Sequence, residues 1–347
     1  MSDKDLVGRV MTVERVKELN SKNWFYKILK ENPALTGVYP GIENEILEGA
    51  IDHHIHAYPD FVYRTQDMIE VSIDAVHAKM GGVGFKDHFF NTGGCAYLTQ
   101  KYIDYMVQKG DLPQSIQVYG GIGINFRMDV AMVETALRYP NCKMIWFPTF
   151  QSTGYYKAVG QKGGIPLVDE SGKKVTPEVE KVLQLSVKHK VGIGLGHTDF
   201  TELYPVAKRA KELGARTVLD HPLLELNKLT FDEIKELAST GVYVGAYCQP
   251  MIPSIYQPVA DPFETVNLIK GIGADKCIIG GDFGQVLHVK SIEGNRIFVR
   301  ALLGFGIPKQ DIITMFKTNA RKLLWLDESS MAKKEGYEQI AAIFQET

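Results

Sequence analysis

The sequence contains few cysteines, and they lie far apart. Its four cysteines, Cys95, Cys142, Cys248 and Cys277, include no C-x-x-C pair. This spacing excludes a zinc ribbon and a dense disulfide framework, and it is typical of reduced thiols. We therefore expect a protein of the cytoplasm.

Long apolar runs and an excess of one charge are also absent. No run approaches the roughly 18 apolar residues of a membrane span, and the charged first residues, MSDKDLVGRVMTVERVKEL, differ from the apolar core of a signal peptide. The 39 Lys and Arg residues nearly balance the 41 Asp and Glu residues, which gives a formal net charge of −2. Such a chain offers no basic surface to nucleic acid or anionic lipid. We expect its partner to be a small-molecule substrate, and neither nucleic acid nor a membrane.

A regular alternation of two kinds of segment runs through most of the chain. Its 347 residues, 45% of them hydrophobic, can bury a large core. Short apolar segments alternate with amphipathic ones that often end in glycine, as in KELGARTV, a pattern typical of parallel strands joined by helices. The sequence predicts an α/β fold, a (β/α)8 TIM-type barrel over residues 47–325. We expect a helical N-terminal extension over residues 1–46 and a C-terminal tail helix over residues 326–347.

The predicted strands are Gly49–His56, Val83–His88, Ile116–Ile124, Lys143–Pro148, Val191–His197, Thr217–His221, Val242–Ala246 and Lys276–Asp282. The predicted helices are Gln66–Met80, Ala96–Lys109, Val130–Arg138, Pro177–Lys188, Leu203–Leu213, Phe231–Ser239, Pro262–Ile272 and Lys309–Lys322. A long glycine-rich segment after predicted strand four, GYYKAVGQKGGIPLVDESGKKV, is either a lid over a site or an exposed excursion.

Histidines are concentrated at the end of the first predicted strand, in LEGAIDHHIHAYPD. Alternate side chains of a strand share a face, so His54 and His56 would project together into the barrel and His53 would point the other way. Other predicted strands end in His88, His197, His221 and Asp282. Taken singly, each is a core histidine or a turn aspartate, but the C-terminal ends of barrel strands meet at one mouth. Imidazole and carboxylate together there favour a catalytic site for zinc, manganese or iron.

With these residues the sequence resembles the amidohydrolase superfamily of metal-dependent hydrolases. The resemblance rests on D-x-H-x-H (Asp52, His54, His56), on His197 and His221 after strands five and six, and on Asp282 after strand eight. It implies a distorted barrel with one or two divalent ions, zinc first and manganese, iron, nickel or cobalt as alternatives. It also implies a homo-oligomer.

The resemblance assigns the ligands as well. It implies that His54, His56 and Asp282 hold the more buried ion. His197 and His221 would bind a second ion; in mononuclear members, His197 binds the single ion and His221 orients water or substrate.

The sequence departs from this superfamily at strand four, as in an atypical branch. KMIWFPTF lacks the terminal lysine or glutamate, whereas many binuclear members bridge their metals there with a carboxylated lysine. Lys86 and His88, on one face of predicted strand two, are candidate replacements. Lys86 is a bridging ligand, a contact to a substrate anion, or a buried cation paired with Asp87 or Asp282. His88 is a metal ligand, a substrate contact or a structural hydrogen-bonding group.

The ligand set predicts an enzyme, a metal-dependent hydrolase. A divalent ion lowers the pKa of bound water from about 15.7 towards about 7 and polarises a scissile carbonyl. Asp282 would be the general base, and His221 would stabilise the developing oxyanion. We expect cleavage of a C–N bond, in an amide or cyclic amide, or of a lactone, in a small substrate. Arg64 and Tyr58, in the loop after H-x-H, are candidate substrate contacts with Lys86 and His88, and Arg64 would suit an anionic substrate.

Other functions stay open at this point. The same barrel supports a metal-dependent lyase, decarboxylase or isomerase, which a substrate-contacting Lys86 would favour. A phosphoesterase is less favoured because the similar polymerase-and-histidinol-phosphatase family ends its motif with D-x-H, whereas Phe283 and Gly284 follow Asp282. A non-catalytic ligand-binding barrel is the remaining alternative. Further residues after strand ends either line the site or cap helices, namely Thr149, Thr198, Glu225 and Gln285.

Overall fold

A computed structural model describes residues 38–224, 227, 229–252 and 261–327. Most of the predicted N-terminal extension, nearly all of the predicted tail helix, and Glu225 lie outside these residues. Of the extension, the structure describes one helix, Ile42–Leu47.

Eight parallel strands follow one another in chain order around a barrel. They are β1 (Ile51–Ile55), β2 (Gly82–Phe85), β3 (Gln117–Gly123), β4 (Cys142–Trp146), β5 (Gly192–Gly194), β6 (Thr217–Leu219), β7 (Tyr243–Tyr247) and β8 (Cys277–Gly280). Backbone hydrogen bonds close the ring between the ends of β8 and β1. The Asp282 N–H donates to the His54 carbonyl, and the His56 N–H donates to the Phe283 carbonyl, both at 2.8 Å. The predicted TIM-type barrel is confirmed.

The helices of the described residues alternate with these strands. They are α1 (Ile42–Leu47), α2 (Met68–His77), α3 (Gly93–Lys109), α4 (Val130–Ala136), α5 (Thr153–Ala158), α6 (Pro177–His189), α7 (Phe200–Leu213), α8 (Phe231–Ser239), α9 (Pro262–Ile272), α10 (Ser291–Gly304), α11 (Lys309–Ile313) and α12 (Asn319–Leu323). Helices α1, α5 and α10 are additions to the predicted set. A short 3-10 turn, Gln249–Met251, follows β7.

Seven of the eight predicted strands extend too far at the mouth of the barrel, whereas β7 ends one residue later than predicted, at Tyr247. The backbone leaves the sheet before His221 and Asp282, because these two residues adopt turn conformations rather than extended ones. His221 has φ 49°, and Asp282 has φ 54°, both in the left-handed region. These side chains therefore stand on the loops that leave the strands.

The last predicted helix, Lys309–Lys322, is interrupted. A π turn at Thr314–Thr318 separates α11 from α12. Directly after it, the Asn319 side chain donates to the carbonyls of Ala274 and Cys277, at 2.9 and 2.6 Å, beside the start of β8. The interruption thus ties the end of the chain to the barrel.

Two apolar clusters stabilise the barrel. The larger lies between the strands and the surrounding helices. The smaller fills the barrel with Ile51, Met144, Trp146 and Ile278, and α12 closes it with Leu323. Because this end of the barrel is filled, the opposite, C-terminal ends of the strands provide the accessible mouth.

Candidate metal centre

The end of β1 does not alternate as a regular strand would. Its pairing with β2 shifts register between Asp52 and Ile55, and the Asp52 carboxylate accepts the His54 backbone N–H at 3.1 Å. The His53 ring is fully buried, 6.1 Å from the ring of His54 and 6.2 Å from that of Tyr247. His53 therefore faces the interior together with His54, and the prediction that it points away is wrong.

Asp52 stabilises this irregular end of β1. It also accepts hydrogen bonds from the Gly281 N–H at 2.9 Å and from the Asn295 side chain at 2.8 Å. Burial raises the pKa of Asp52 to about 6. The first residue of D-x-H-x-H thus fixes the backbone of β1 to β8 and α10.

His54 is held by two groups that the sequence analysis missed. The Tyr247 hydroxyl donates to Asp220 at 2.7 Å, so its oxygen accepts from His54 Nδ1, 3.1 Å away. A neutral His54 then has its lone pair on Nε2, which lies 3.1 Å from Lys86 Nζ and 3.3 Å from an Asp282 carboxylate oxygen. Asp220 directly precedes His221 in VLDHP, so its position was visible in the sequence; Tyr247 looked like an ordinary core residue.

The contacts of His56 favour the opposite tautomer from that of His54. Its Nδ1 lies 3.2 Å from Arg64 Nη2, which can only donate, and its Nε2 lies 3.3 Å from Asp282 Oδ1. Asp60 receives the Arg64 Nε–H at 2.8 Å and lies 3.9 Å from His56 Nδ1. Burial, with the charge of Arg64, lowers the pKa of His56. To bind a metal through Nε2, His56 must carry its proton on Nδ1, where Asp60 is the available acceptor.

Asp282 is the carboxylate on which the imidazoles converge. One of its oxygens faces His54 and His56, and the other lies 3.8 Å from His221 Nε2. Burial alone would raise the pKa of Asp282, but His221 and the two other imidazoles hold it well below its usual range. Burial lowers the pKa of His221 to about 4. Near neutral pH the centre therefore combines an ionised carboxylate with a neutral imidazole.

His197 provides the test of whether a cation fits here. Both of its ring nitrogens are buried without a hydrogen-bond partner, and its ring lies 5.1 Å from that of His221. Burial holds its pKa well below the usual range. A buried group of this kind requires an explanation, and an ion is one. Since ligand atoms of His54, His221 and Asp282 also lie within 4.8 Å of one another, the residues present fit a divalent metal.

Lys86 and His88 both lie at this centre. Lys86 is buried, its amine contacts His54, and burial lowers its pKa. Among the described residues it makes no ion pair within 4 Å. His88 stacks on His56 with ring centroids 4.9 Å apart, and its Nδ1 lies 2.8 Å from the Thr149 hydroxyl. Burial holds the pKa of His88 well below its usual range.

The predicted substrate contacts differ in placement. Arg64 is paired with Asp60 inside the mouth, so its charge is already partly balanced. Tyr58 is half-exposed, and among the described residues no side-chain hydrogen bond or ring contact links it to the centre. Gln285 donates to the Asp282 carbonyl at 2.9 Å. The roles of Arg64 and Tyr58 stay predictions.

One family model matches the chain. Its description is a family of unknown function, DUF6282, and it matches residues 49–245, more than half of the sequence. The chain belongs to the DUF6282 family. The DUF6282 segment includes five histidines of the centre, His54, His56, His88, His197 and His221, and ends before Asp282. No curated protein is a significant sequence match.

Solved structures share the fold of this DUF6282 protein. An amidohydrolase from Pseudomonas aeruginosa aligns with a TM-score of 0.52 and 10% identity over 82% of this chain and 97% of its own. An amidohydrolase from Burkholderia multivorans with bound HEPES gives 0.52 and 11%, over 80% and 99%. A structure from the engineering of organophosphate hydrolysis on a weak promiscuous lactonase template gives 0.50 and 14%, over 84% and 98%. At these identities the likeness establishes the barrel fold.

None of the helices in the described part of this DUF6282 protein is long and apolar enough to cross a membrane.

Proposed function

We propose that this protein is a divalent-metal-dependent hydrolase. The observation that carries the proposal is the convergence of His54, His56 and His221 on the buried carboxylate of Asp282, beside the unpartnered His197. The shared fold with amidohydrolases supports it. The bond that we propose for cleavage is a C–N bond of an amide or cyclic amide, or a lactone, in a small molecule.

Each residue of the centre has a role in the proposed hydrolysis. A divalent ion held here would supply Lewis acidity, which activates water near neutral pH and polarises the bond to be cleaved. His54, His56, His197 and His221 would hold it with Asp282. The Asp282 oxygen that faces His221 is the less constrained of the two, so it accepts the proton of water and delivers it to the leaving group. In a site where the other ligands hold a single ion, His221, which is neutral at pH 7, would instead orient the reacting oxygen.

One observation favours a second candidate, a metal-dependent lyase or decarboxylase. The Lys86 amine contacts His54 inside the centre. A cation there that contacts substrate, instead of bridging two metals, can stabilise the carbanion or carboxylate of a non-hydrolytic reaction. Zinc is our first choice of metal for either reaction. The cytoplasmic location and the homo-oligomer also stay proposals.

Metal analysis of protein expressed with zinc, manganese, iron, nickel or cobalt tests the proposal. We expect one or two equivalents of metal in the wild-type protein and a strong loss in His54→Ala and Asp282→Asn. Asp232→Asn, an exposed carboxylate on α8, is the matched control and should keep the wild-type content. Near-zero metal in the wild-type protein would contradict the hydrolase proposal. Two equivalents that fall to one in Lys86→Ala would identify Lys86 as a bridging ligand.

A further inference from the structure

Four phenylalanines form a continuous surface on one side of the mouth. Phe61, Phe89, Phe126 and Phe150 stand on the loops after β1, β2, β3 and β4, and we call them the aromatic wall. The ring centroids of Phe61 and Phe89 are 4.8 Å apart, those of Phe89 and Phe126 are 5.0 Å apart, and those of Phe89 and Phe150 are 6.2 Å apart. Loops that are distant in sequence thus contribute one surface.

Two rings of the aromatic wall are exposed to solvent. Phe61 is 53% exposed and Phe126 is 71% exposed. A cluster of exposed aromatic rings costs solvation free energy, and contiguous apolar patches on a protein surface usually mark binding sites. We therefore expect a ligand to cover the aromatic wall.

Buried polar side chains hold the loops that carry this wall. Asp87 accepts the backbone N–H groups of Phe89 and Phe90, at 2.6 and 2.9 Å. Asn125, also buried, accepts the N–H groups of Thr149 and Gln151, on either side of Phe150, at 2.7 and 3.1 Å. The rings are thus presented by fixed backbone, which reduces the entropy lost when a ligand binds.

The aromatic wall is continuous with the metal centre through His88. The His88 ring stacks on His56 at 4.9 Å and lies 4.4 Å from the Phe150 ring. Its Nδ1 contacts Thr149, which leaves Nε2 as the nitrogen without a hydrogen-bond partner among the described residues. The single ring of His88 therefore joins the aromatic wall to His56 of the centre.

We propose that the substrate carries an aromatic ring, which binds on the aromatic wall, and that the bond to be cleaved is attached to this ring directly or through one or two atoms. This inference rests on the proposed function, since it names the substrate class of the same site. The short path from Phe150 to His56 favours a small aryl amide or aryl lactone as the occupant over a second protein. Rings that meet edge-to-face or offset-stacked gain more than area burial alone.

Binding of two neutral probes to chelator-treated, metal-free protein tests the inference. Benzamide and cyclohexanecarboxamide have similar size and the same amide, but only benzamide is aromatic. We expect the wild-type protein to bind benzamide about two- to tenfold more tightly, by ligand-observed NMR titration. The preference should become smaller in the double variant Phe61→Ala/Phe126→Ala, which removes the two exposed rings and keeps Phe89 and Phe150, and it should be unchanged in Tyr102→Ala, an exposed tyrosine on α3.

Equal affinities of the wild-type protein for the two probes, or a preference that is unchanged in the double variant, would overturn the inference. Because the probes bind without metal, this result is separate from the metal analysis. Metal binding without an aromatic preference would support the hydrolase proposal and contradict the proposal of an aromatic substrate. An aromatic preference in a protein that binds no metal would do the reverse, leaving an aromatic-binding site and removing the hydrolase.

Discussion

His54 and His56 are two residues apart, yet their ring nitrogens have different partners. Tyr247 and Asp220 direct the His54 proton to Nδ1, whereas Arg64 donates to Nδ1 of His56. His54 is therefore ready to bind a metal, and His56 must first move a proton. Groups behind a ligand set its tautomer in this way and tune metal affinity.

Replacing Tyr247 by Phe tests that arrangement. The variant keeps the ring and removes only the hydroxyl between His54 and Asp220, so we expect metal affinity to fall about 10- to 100-fold while the fold is retained. Competition with a coloured chelator measures the affinity. Tyr119→Phe removes a hydroxyl from the cluster at the closed end of the barrel and should change nothing. An unchanged affinity in Tyr247→Phe would show that the hydroxyl does not orient His54.

Asp87 makes a pH-dependent contribution to stability. Burial, with the nearby charge of Asp60, raises the pKa of Asp87 to about 6 from an ordinary value of 3.8. Between these values the folded protein binds a proton that the unfolded chain releases, so the contribution of Asp87 to stability falls as pH rises through this window.

Asp87→Asn keeps an oxygen to accept from Phe89 and Phe90 and cannot ionise. We compare the free energy of unfolding of this variant with that of the wild-type protein. The difference should favour the variant by about 1–2 kcal/mol more at pH 8 than at pH 4.5. Urea unfolding at the two pH values measures it. The same difference between variant and wild type at both values would contradict the assignment.

At the scale of elements, the loops after β8 and β1 pack backbone against backbone. Gly284 has φ 131°, and its carbonyl accepts the Thr65 N–H at 2.9 Å. A Cβ atom on Gly284 would overlap the carbonyl oxygen of His56. This position accepts only glycine for two reasons, its backbone conformation and the close approach of another loop.

Gly284→Ala should therefore lower the free energy of unfolding by about 3 kcal/mol, as measured by chemical denaturation. Gly160→Ala is the matched control, because Gly160 has φ 73° with no atom within 4 Å of an added Cβ. It should lose only about 1 kcal/mol, for the backbone conformation alone. Equal losses in the two variants would mean that the contact with His56 is unimportant.

The sequence predicts elements best where local signals agree. Helices α8 and α9 have the predicted bounds because Thr230 and Asp261 cap their first turns. Helix α10 was missed: it starts without a side-chain cap and contains Gly294, which lies against the Phe283 ring. The strand ends were overextended because positive φ angles at His221 and Asp282 are imposed by the assembled mouth.

For the whole molecule, metal binding should be linked to folding. Ions that bind only the folded protein stabilise it by about 2.7 kcal/mol at 100 times the dissociation constant. We expect this gain in the wild-type protein and its absence in Asp282→Asn, where asparagine tolerates the left-handed backbone. Thermal unfolding with and without zinc measures it. An equal gain in the variant would place the stabilising ion elsewhere.

The centre could be predicted only as far as its residues mark strand ends. Histidines and an aspartate there indicate a common mouth because the architecture brings strand ends together. Tyr247, Asn125 and the exposed rings of the aromatic wall give no such signal, since their roles arise from contacts between loops distant in sequence. The direction of the His53 side chain could not be predicted for a related reason. The register shift in β1 depends on pairing with the neighbouring strand.

The hydrogen bonds that close the barrel join the strand bearing His54 and His56 to the loop bearing Asp282. On the ribosome these parts are made more than two hundred residues apart, so the nascent chain presents imidazoles long before their carboxylate exists. Assembly of the centre and closure of the ring are consequently one event, which becomes possible only after β8 and Asp282 have been made. Any ion captured earlier would be held without Asp282, and a chain that ends before β8 cannot complete the centre.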